Sequence, residues 1–315
     1  MTPEQIEEER LWLIAHKEET GLTWPQLYQA TGLSSALSAW AGNTYPGKTE
    51  RLAEGVIAYR ERMAKIAEID LKAVDAPDFF ETPTTKRIKA VLQIAQRGRM
   101  VLIGGAPGTS KTEAIRNYWE SDPNCVWIVT LSPTSSGVNT MLQALLKALG
   151  EANVGGTPFS LRQRVQTKIV GSSGLLIFDE AQFLSEKALE EIRAIFDYCA
   201  KRGGIGIALV GNDDVMLRLE QSARIDAFAR IKRRIAQQFL IRKPTEGDVL
   251  AQCDAWGVTD KKQREYLCGI AGRAGGLRDC TQVLETASML AAGQPMIIDN
   301  LVDAWTHLSA RQIAA

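Results

Sequence analysis

The chain has 315 residues, 45% of them hydrophobic and 23% charged, with 37 basic against 37 acidic side chains. That length allows two or three domains around buried cores, and the make-up excludes a disordered or collagen-like chain. The acidic start "MTPEQIEEER" lacks a secretory pattern, no apolar run approaches the ~20 residues of a membrane span, and five scattered cysteines with the distant His16 and His307 offer no zinc spacing. These features predict a soluble, cytoplasmic protein with reduced thiols.

Residues 1–74 read as wholly helical. "PEQIEEERLWLIAHKEETG" carries apolar residues at helical spacing and stops at Gly21, and "KTERLAEGVIAYRERMAKIAEIDLKA" is a longer amphipathic helix. Between them, "LTWPQLYQATGLSSALSAWAGN" predicts a helix, a break at Gly32 and a second short helix opening at Ser34. This segment resembles the helix-turn-helix of phage repressor-like proteins, with Leu27, Leu33, Leu37 and Trp40 packed inside and Ser34, Ser35 and Ser38 facing a groove. Its second helix has no Lys or Arg, so DNA binding by this domain alone would be weak. A helical bundle used for protein contacts is the other reading.

The stretch "VDAPDFFETPTT" has two prolines and no helical period, which places a linker at residues 75–85. Residues 86–244 then alternate. The strands are "RMVLIGG", "CVWIVTLS", "GLLIFDE", "GIALVGN" and "AQQFLIRKP", separated by amphipathic helices from "KRIKAVLQIAQRG" to "RIDAFARIKRRI". Continuous apolar strands between such helices indicate an α/β fold with a parallel sheet covered on both faces. Residues 245–315 show helical patterns only.

The chemistry concentrates at three strand ends. After the first strand comes "GGAPGTSKT", nearly the phosphate-cradling pattern G-x-x-x-x-G-K-[ST], with Ser110 where a glycine would precede the lysine. In such a loop, backbone N–H groups and a helix N-terminus bind phosphates, the lysine supplies charge and the hydroxyl reaches Mg²⁺. Gly105, Ala106, Pro107, Gly108, Thr109, Ser110, Lys111 and Thr112 are therefore the candidate nucleotide-binding residues. The strand "LLIFDE" ends in Asp179, suited with Thr112 to Mg²⁺, and Glu180, suited to polarise an attacking water. "IALVGND" places Asn212 at the same sheet edge, and "GGLRD" places Arg278 at the start of a helix in the all-helical tail. Two basic stretches add a polyanion-binding character. Residues 82–112 hold six basic residues and no acidic one, and residues 224–243 hold seven basic residues against Asp226.

That order of motifs resembles the AAA+ ATPases over about residues 80–315: Walker A at Gly105–Thr112, Walker B at Asp179–Glu180, sensor 1 at Asn212 and sensor 2 at Arg278. The resemblance implies an AAA+ parallel-sheet P-loop core at 86–244 with a small helical C-terminal lid at 245–315, preceded by the all-α helix-turn-helix domain. It also implies rings or filaments in which a neighbour's arginine completes each site. Arg230 is the first candidate for that role, with Arg233 and Arg224 behind it. The whole chain, including "FFETPTTKRI" and "DEAQFL", is similar to the family of phage Mu B transposition proteins.

Membership of that family would imply a Mg²⁺-dependent ATPase that binds double-stranded DNA with little sequence preference when ATP-bound. It would assemble into a helical filament on that DNA, deliver it to a transposase and leave on hydrolysis. A helicase-loader-like ATPase, an AAA+ ATPase of a secretion-type protein assembly and a non-enzymatic repressor-like DNA binder are the alternatives.

Overall fold

We describe the protein from a computed structural model that covers residues 1–70, 77, 79–200, 202–215, 217 and 226–313. The chain divides into two compact units, Met1–Val74 and Asp75–Ala315.

In the first unit, α1 (Pro3–Thr20) opens at Thr2, whose side chain accepts from the Gln5 N–H while the Gln5 side chain accepts from the Thr2 N–H. This reciprocal cap satisfies two donors that a helix start leaves orphaned. Helix α2 (Trp24–Thr31) ends at Gly32, and α3 covers only Ala36–Ala41. The opening of α3 therefore lies beyond the Ser34 expected from sequence. The Ser34 carbonyl is taken by the Leu37 N–H, three residues on, so the entry is a tight turn and the helix proper follows it. Ser38 is also turned inward: its hydroxyl donates to the Ser35 carbonyl and accepts from the Tyr28 hydroxyl, which leaves Ser34 and Ser35 exposed. Leu13, Leu27, Leu37 and Trp40 pack with Leu52, Val56 and Tyr59 of α4 (Glu50–Asp70), and Leu33 is partly buried against them.

The second unit begins with α5 (Pro83–Gln96), three residues before the helix expected at Lys86. The reason is local: Thr82 and Thr85 cap each other's N–H groups, and Pro83 at the first helical position needs no donor partner. Five strands follow as β1 (Met100–Gly105), β2 (Val126–Thr130), β3 (Leu175–Asp179), β4 (Gly206–Gly211) and β5 (Ile235–Ile241). They pair in the order β2-β3-β4-β1-β5, every pairing parallel.

One sheet face, with Leu102, Leu176, Phe178 and Leu209, is covered by α7 (Val138–Ala148), α8 (Pro158–Ile169) and α9 (Glu186–Ala200). The other, with Val101, Ile103, Ile177 and Val210, is covered by α5 and α6 (Lys111–Ser121). Because the strands run parallel, Gly105, Asp179 and Gly211 all arrive at one edge, where the site is built.

After β5, helices α11 (Glu246–Ala255), α12 (Lys261–Ala271), α13 (Leu277–Ala291) and α14 (Ile298–Ile313) enclose their own core of Cys253, Leu267, Cys280, Leu284 and Leu301. Burial pushes the Cys253 thiol up to about 11 and the Cys280 thiol up to about 12, so both stay protonated and inert. The preceding helix α10 spans Asp226–Lys232.

Asp248 ties these helices to α5. Fully buried, it accepts from the Thr84 N–H (2.8 Å) and hydroxyl (2.6 Å) and from the Thr245 N–H and hydroxyl (both 2.8 Å). Burial pushes this carboxyl up, but the hydrogen bonds from Thr84 and Thr245 outweigh it and hold it below the ordinary value. Its stabilising contribution is therefore full above the unfolded carboxyl's pKa of about 3.9 and is lost as pH falls below that through the folded value. Asp248→Ala, which orphans buried donors, is expected to cost about 3 kcal/mol and to lower the melting temperature by roughly 6–12 °C. Thermal melts of both proteins from pH 3 to 7 check this, and the gap should narrow at the acid end.

Candidate functional site

The loop after β1 is shaped by its backbone. Gly108 has φ 68° and its carbonyl accepts from the Leu277 N–H (2.9 Å) at the start of α13. A Cβ at Gly108 would overlap the Gly275 carbonyl oxygen, so only glycine lets the loop and α13 meet here. Ser110 adopts φ 57° and ψ 26°, the left-handed conformation. The glycine of the usual phosphate-loop pattern fits this conformation freely, whereas a serine is strained in it.

Ser110→Gly should relieve about 1–2 kcal/mol of backbone strain and give back part of it through a more flexible unfolded chain, a net gain of roughly 0.5–1 kcal/mol. Chemical denaturation checks the sign. A less stable Ser110→Gly protein would show that this backbone conformation carries no strain.

Lys111 opens α6, and its ammonium donates to the Gly105 and Ala106 carbonyls (both 2.7 Å) and to the Thr109 hydroxyl (3.2 Å). Burial lowers its pKa, against the raising effect of Asp179, Glu180 and Asp213. The Thr112 hydroxyl donates to Asp179 Oδ2 (3.3 Å), and Asp179 Oδ1 accepts from the Glu180 N–H (3.0 Å). Asp179 is 4% exposed, and burial raises its pKa above the ordinary carboxyl value. A hydroxyl and a carboxylate converging on one spot are hard oxygen ligands suited to Mg²⁺. Among the described residues no group of three or more His, Cys, Asp or Glu could hold a metal alone.

Residues 107–112 and Asp179 line a cavity of about 750 Å³ together with Glu180, Asn212 and Arg278, whereas Gly105 and Ala106 are not among its lining residues. The structure thus brings the three strand ends and the start of α13 around one space, although they lie far apart in sequence. The carboxamide of Asn212 is engaged within its own turn, donating to Asp214 Oδ2 (2.9 Å) and accepting from the Asp214 N–H (3.0 Å). Arg230, half exposed on α10, lies 3.8 Å from Glu190, and Arg233 is exposed; neither is among the described residues lining this cavity. Arg224 lies outside the described residues.

The basic stretch around Lys86 carries less unpaired charge than its composition suggested. Glu81, just before it, pairs with Lys89 (3.0 Å) and Lys86 (3.5 Å), and the Arg87 guanidinium lies over the Phe239 ring. Phe80, Gln182 and Thr281 are among the lining residues that sequence reasoning left without a role. Phe80 and Gln182 lie in the "FFETPTTKRI" and "DEAQFL" stretches that carry the family likeness, yet neither residue has a role there without the geometry, and Thr281 has no such signal.

The chain is similar to known proteins along most of its length. A family model described as Mu B transposition protein, C terminal, matches residues 233–308, and one described as AAA domain matches residues 94–219. The Mu-like prophage FluMu DNA transposition protein B of Haemophilus influenzae is 34% identical over 86% of this chain and 93% of its own. The ATP-dependent target DNA activator B of Escherichia phage Mu is 32% identical over 89% of this chain and 87% of its own. Among solved structures, that of Drosophila ORC bound to DNA matches 76% of this chain and 64% of that chain with a TM-score of 0.52 and 12% identity, a likeness of fold alone.

Proposed function

The chain belongs to the family of Mu B transposition proteins, and from that premise we propose that it is an ATP-dependent activator of target DNA in transposition. ATP binds in the cavity, and the ATP-bound protein associates with double-stranded DNA with little sequence preference. It self-associates there into a filament or ring, presents the DNA to the transposase and leaves on hydrolysis. Acting on a bacterial host's DNA places it in the cytoplasm. Among the described residues no helix is long and apolar enough to cross a membrane.

One observation carries the reading: a single cavity is lined by Lys111, Thr112, Asp179, Glu180, Asn212 and Arg278. In the proposed cycle Lys111 leaves its loop carbonyls to reach the outer phosphates, and the loop N–H groups cradle the inner ones. Thr112 and Asp179 would hold Mg²⁺, which supplies charge neutralisation at the phosphates. Glu180 orients and polarises the attacking water, while Asn212 and Arg278 report on the terminal phosphate. Arg230, Arg233 or Arg224 of a neighbouring copy completes the site, so ATP favours assembly and hydrolysis loosens it. Assembly also multiplies weak phosphate contacts, which lets a chain of zero net charge hold DNA.

The test is co-sedimentation with long duplex DNA of arbitrary sequence under ATP, ADP or no nucleotide. DNA association is expected with ATP only, and Lys111→Ala should abolish it. ATP binding without any DNA association would overturn the reading and point to a protein substrate instead.

A further inference from the structure

Gln182 stands two residues after Glu180 in the turn that leaves β3. That turn is closed by the Phe183 N–H on the Glu180 carbonyl (3.0 Å) and the Leu184 N–H on the Ala181 carbonyl (3.1 Å). It folds the Gln182 carboxamide back so that Nε2 donates to Glu180 Oε2 and Oε1 accepts from the Asn212 N–H (3.3 Å). The orientation of that amide is chemically unambiguous, because a carboxylate only accepts and a backbone N–H only donates.

Room for the contact comes from β4. A Cβ at Gly211 would stand 2.5 Å from Gln182 Oε1, so the strand ends bare where the carboxamide lies against it. Glu180 itself sits at φ 57° and ψ 39°. The left-handed backbone aims its side chain, and Gln182 fixes the carboxylate at the far end.

We propose that Gln182 is the positioning residue for Glu180, coupling its carboxylate to the end of β4 that also carries Asn212. This rests on the reading of Glu180 as the group that polarises the attacking water. A water-activating carboxylate must be held in place, since misplacement by about 1 Å costs on the order of 100-fold in rate. Glu180 has three bonds to rotate about, the last of them turning its carboxylate, and the Gln182 amide removes that freedom. Through the Asn212 N–H, any shift of the β4 end on phosphate binding moves the Gln182 amide and with it Glu180. Water activation is thereby made conditional on the strand that senses the terminal phosphate.

The experiment measures ATP turnover, with and without duplex DNA, and binding of a fluorescent ATP analogue by the full chain. The variants are Gln182→Met, which keeps the volume without the hydrogen bonds, Gln182→Ala, Glu180→Gln, and the double variant of Glu180→Gln with Gln182→Met. Turnover by Gln182→Met and Gln182→Ala should fall about 10–100-fold while affinity for the analogue changes less than about 2-fold. The double variant should be no slower than Glu180→Gln alone, because both changes act through one carboxylate.

Wild-type turnover by Gln182→Met, faster turnover by either Gln182 variant, or additive loss in the double variant would overturn the proposal. If Gln182→Met melts early, Gln182→Ala provides the same comparison. Full turnover by Glu180→Gln would sink the underlying reading of Glu180. An inactive Glu180→Gln beside a normal Gln182→Met would sink the positioning role alone.

Discussion

Glu180→Gln is expected to cut ATP turnover by about 10²–10³-fold while leaving ATP-dependent DNA association intact. The substitution keeps the shape of the side chain, and its amide oxygen can still accept from Gln182. What disappears is the negative charge that would draw a proton from the attacking water. Glu180 is not one of the groups that hold Lys111, whose ammonium is bound by the Gly105 and Ala106 carbonyls and the Thr109 hydroxyl, so nucleotide capture should survive. The variant should therefore load onto DNA with ATP and stay there. Following the DNA-bound fraction after a fixed dose of ATP checks this: the wild type should decay as ATP is consumed and the variant should persist. Decay at the wild-type rate would remove Glu180 from the hydrolytic step.

Asp179→Asn should separate function from stability in the opposite sense, losing turnover by at least about 100-fold while melting at a higher temperature. Asp179 is buried at the end of β3, and burial raises its folded pKa above the unfolded value. The sign follows from linkage. Between those two values the folded chain holds a proton that the unfolded chain has released, so stability falls as pH rises through that window. At neutral pH the ionised carboxylate is thus kept in the fold at a cost, which the proposed role with Thr112 at Mg²⁺ would account for. Asparagine removes the charge and keeps a partner for the Glu180 N–H. Melting curves between pH 4 and 8 should show Asp179→Asn above the wild type at the neutral end and level with it at the acid end. A lower melting temperature at pH 7 would mean that the charge stabilises the fold through Lys111 after all.

The parts of this protein that were legible in sequence are those whose cause is local. The strand "MVLIGG", the loop to Thr112 and the helix from Lys111 follow one another within a few residues, and apolar continuity followed by helical period identifies each. The same holds for "LLIFD" before Glu180. Where sequence reasoning missed by a few residues, at Ser34 and at Lys86, the deciding features were a three-residue turn and a threonine cap. Such features shift an element's end without changing its pattern. The basic run after Thr82 takes part of its charge balance from a residue just outside it, since Glu81 pairs with both Lys86 and Lys89 in space.

By itself, then, the amino-acid sequence determined the alternation of strands and helices, the phosphate loop and the acids at a strand tip, because each is a pattern of neighbours along the chain. Only the tertiary structure decided what those pieces face. It put Asp248 on Thr84 across 164 residues, the Leu277 N–H on the Gly108 carbonyl, and the Gln182 amide between Glu180 and the Asn212 backbone. Those contacts depend on sheet order and on how helices pack over it, which is set by the summed burial of many side chains and is written at no single position.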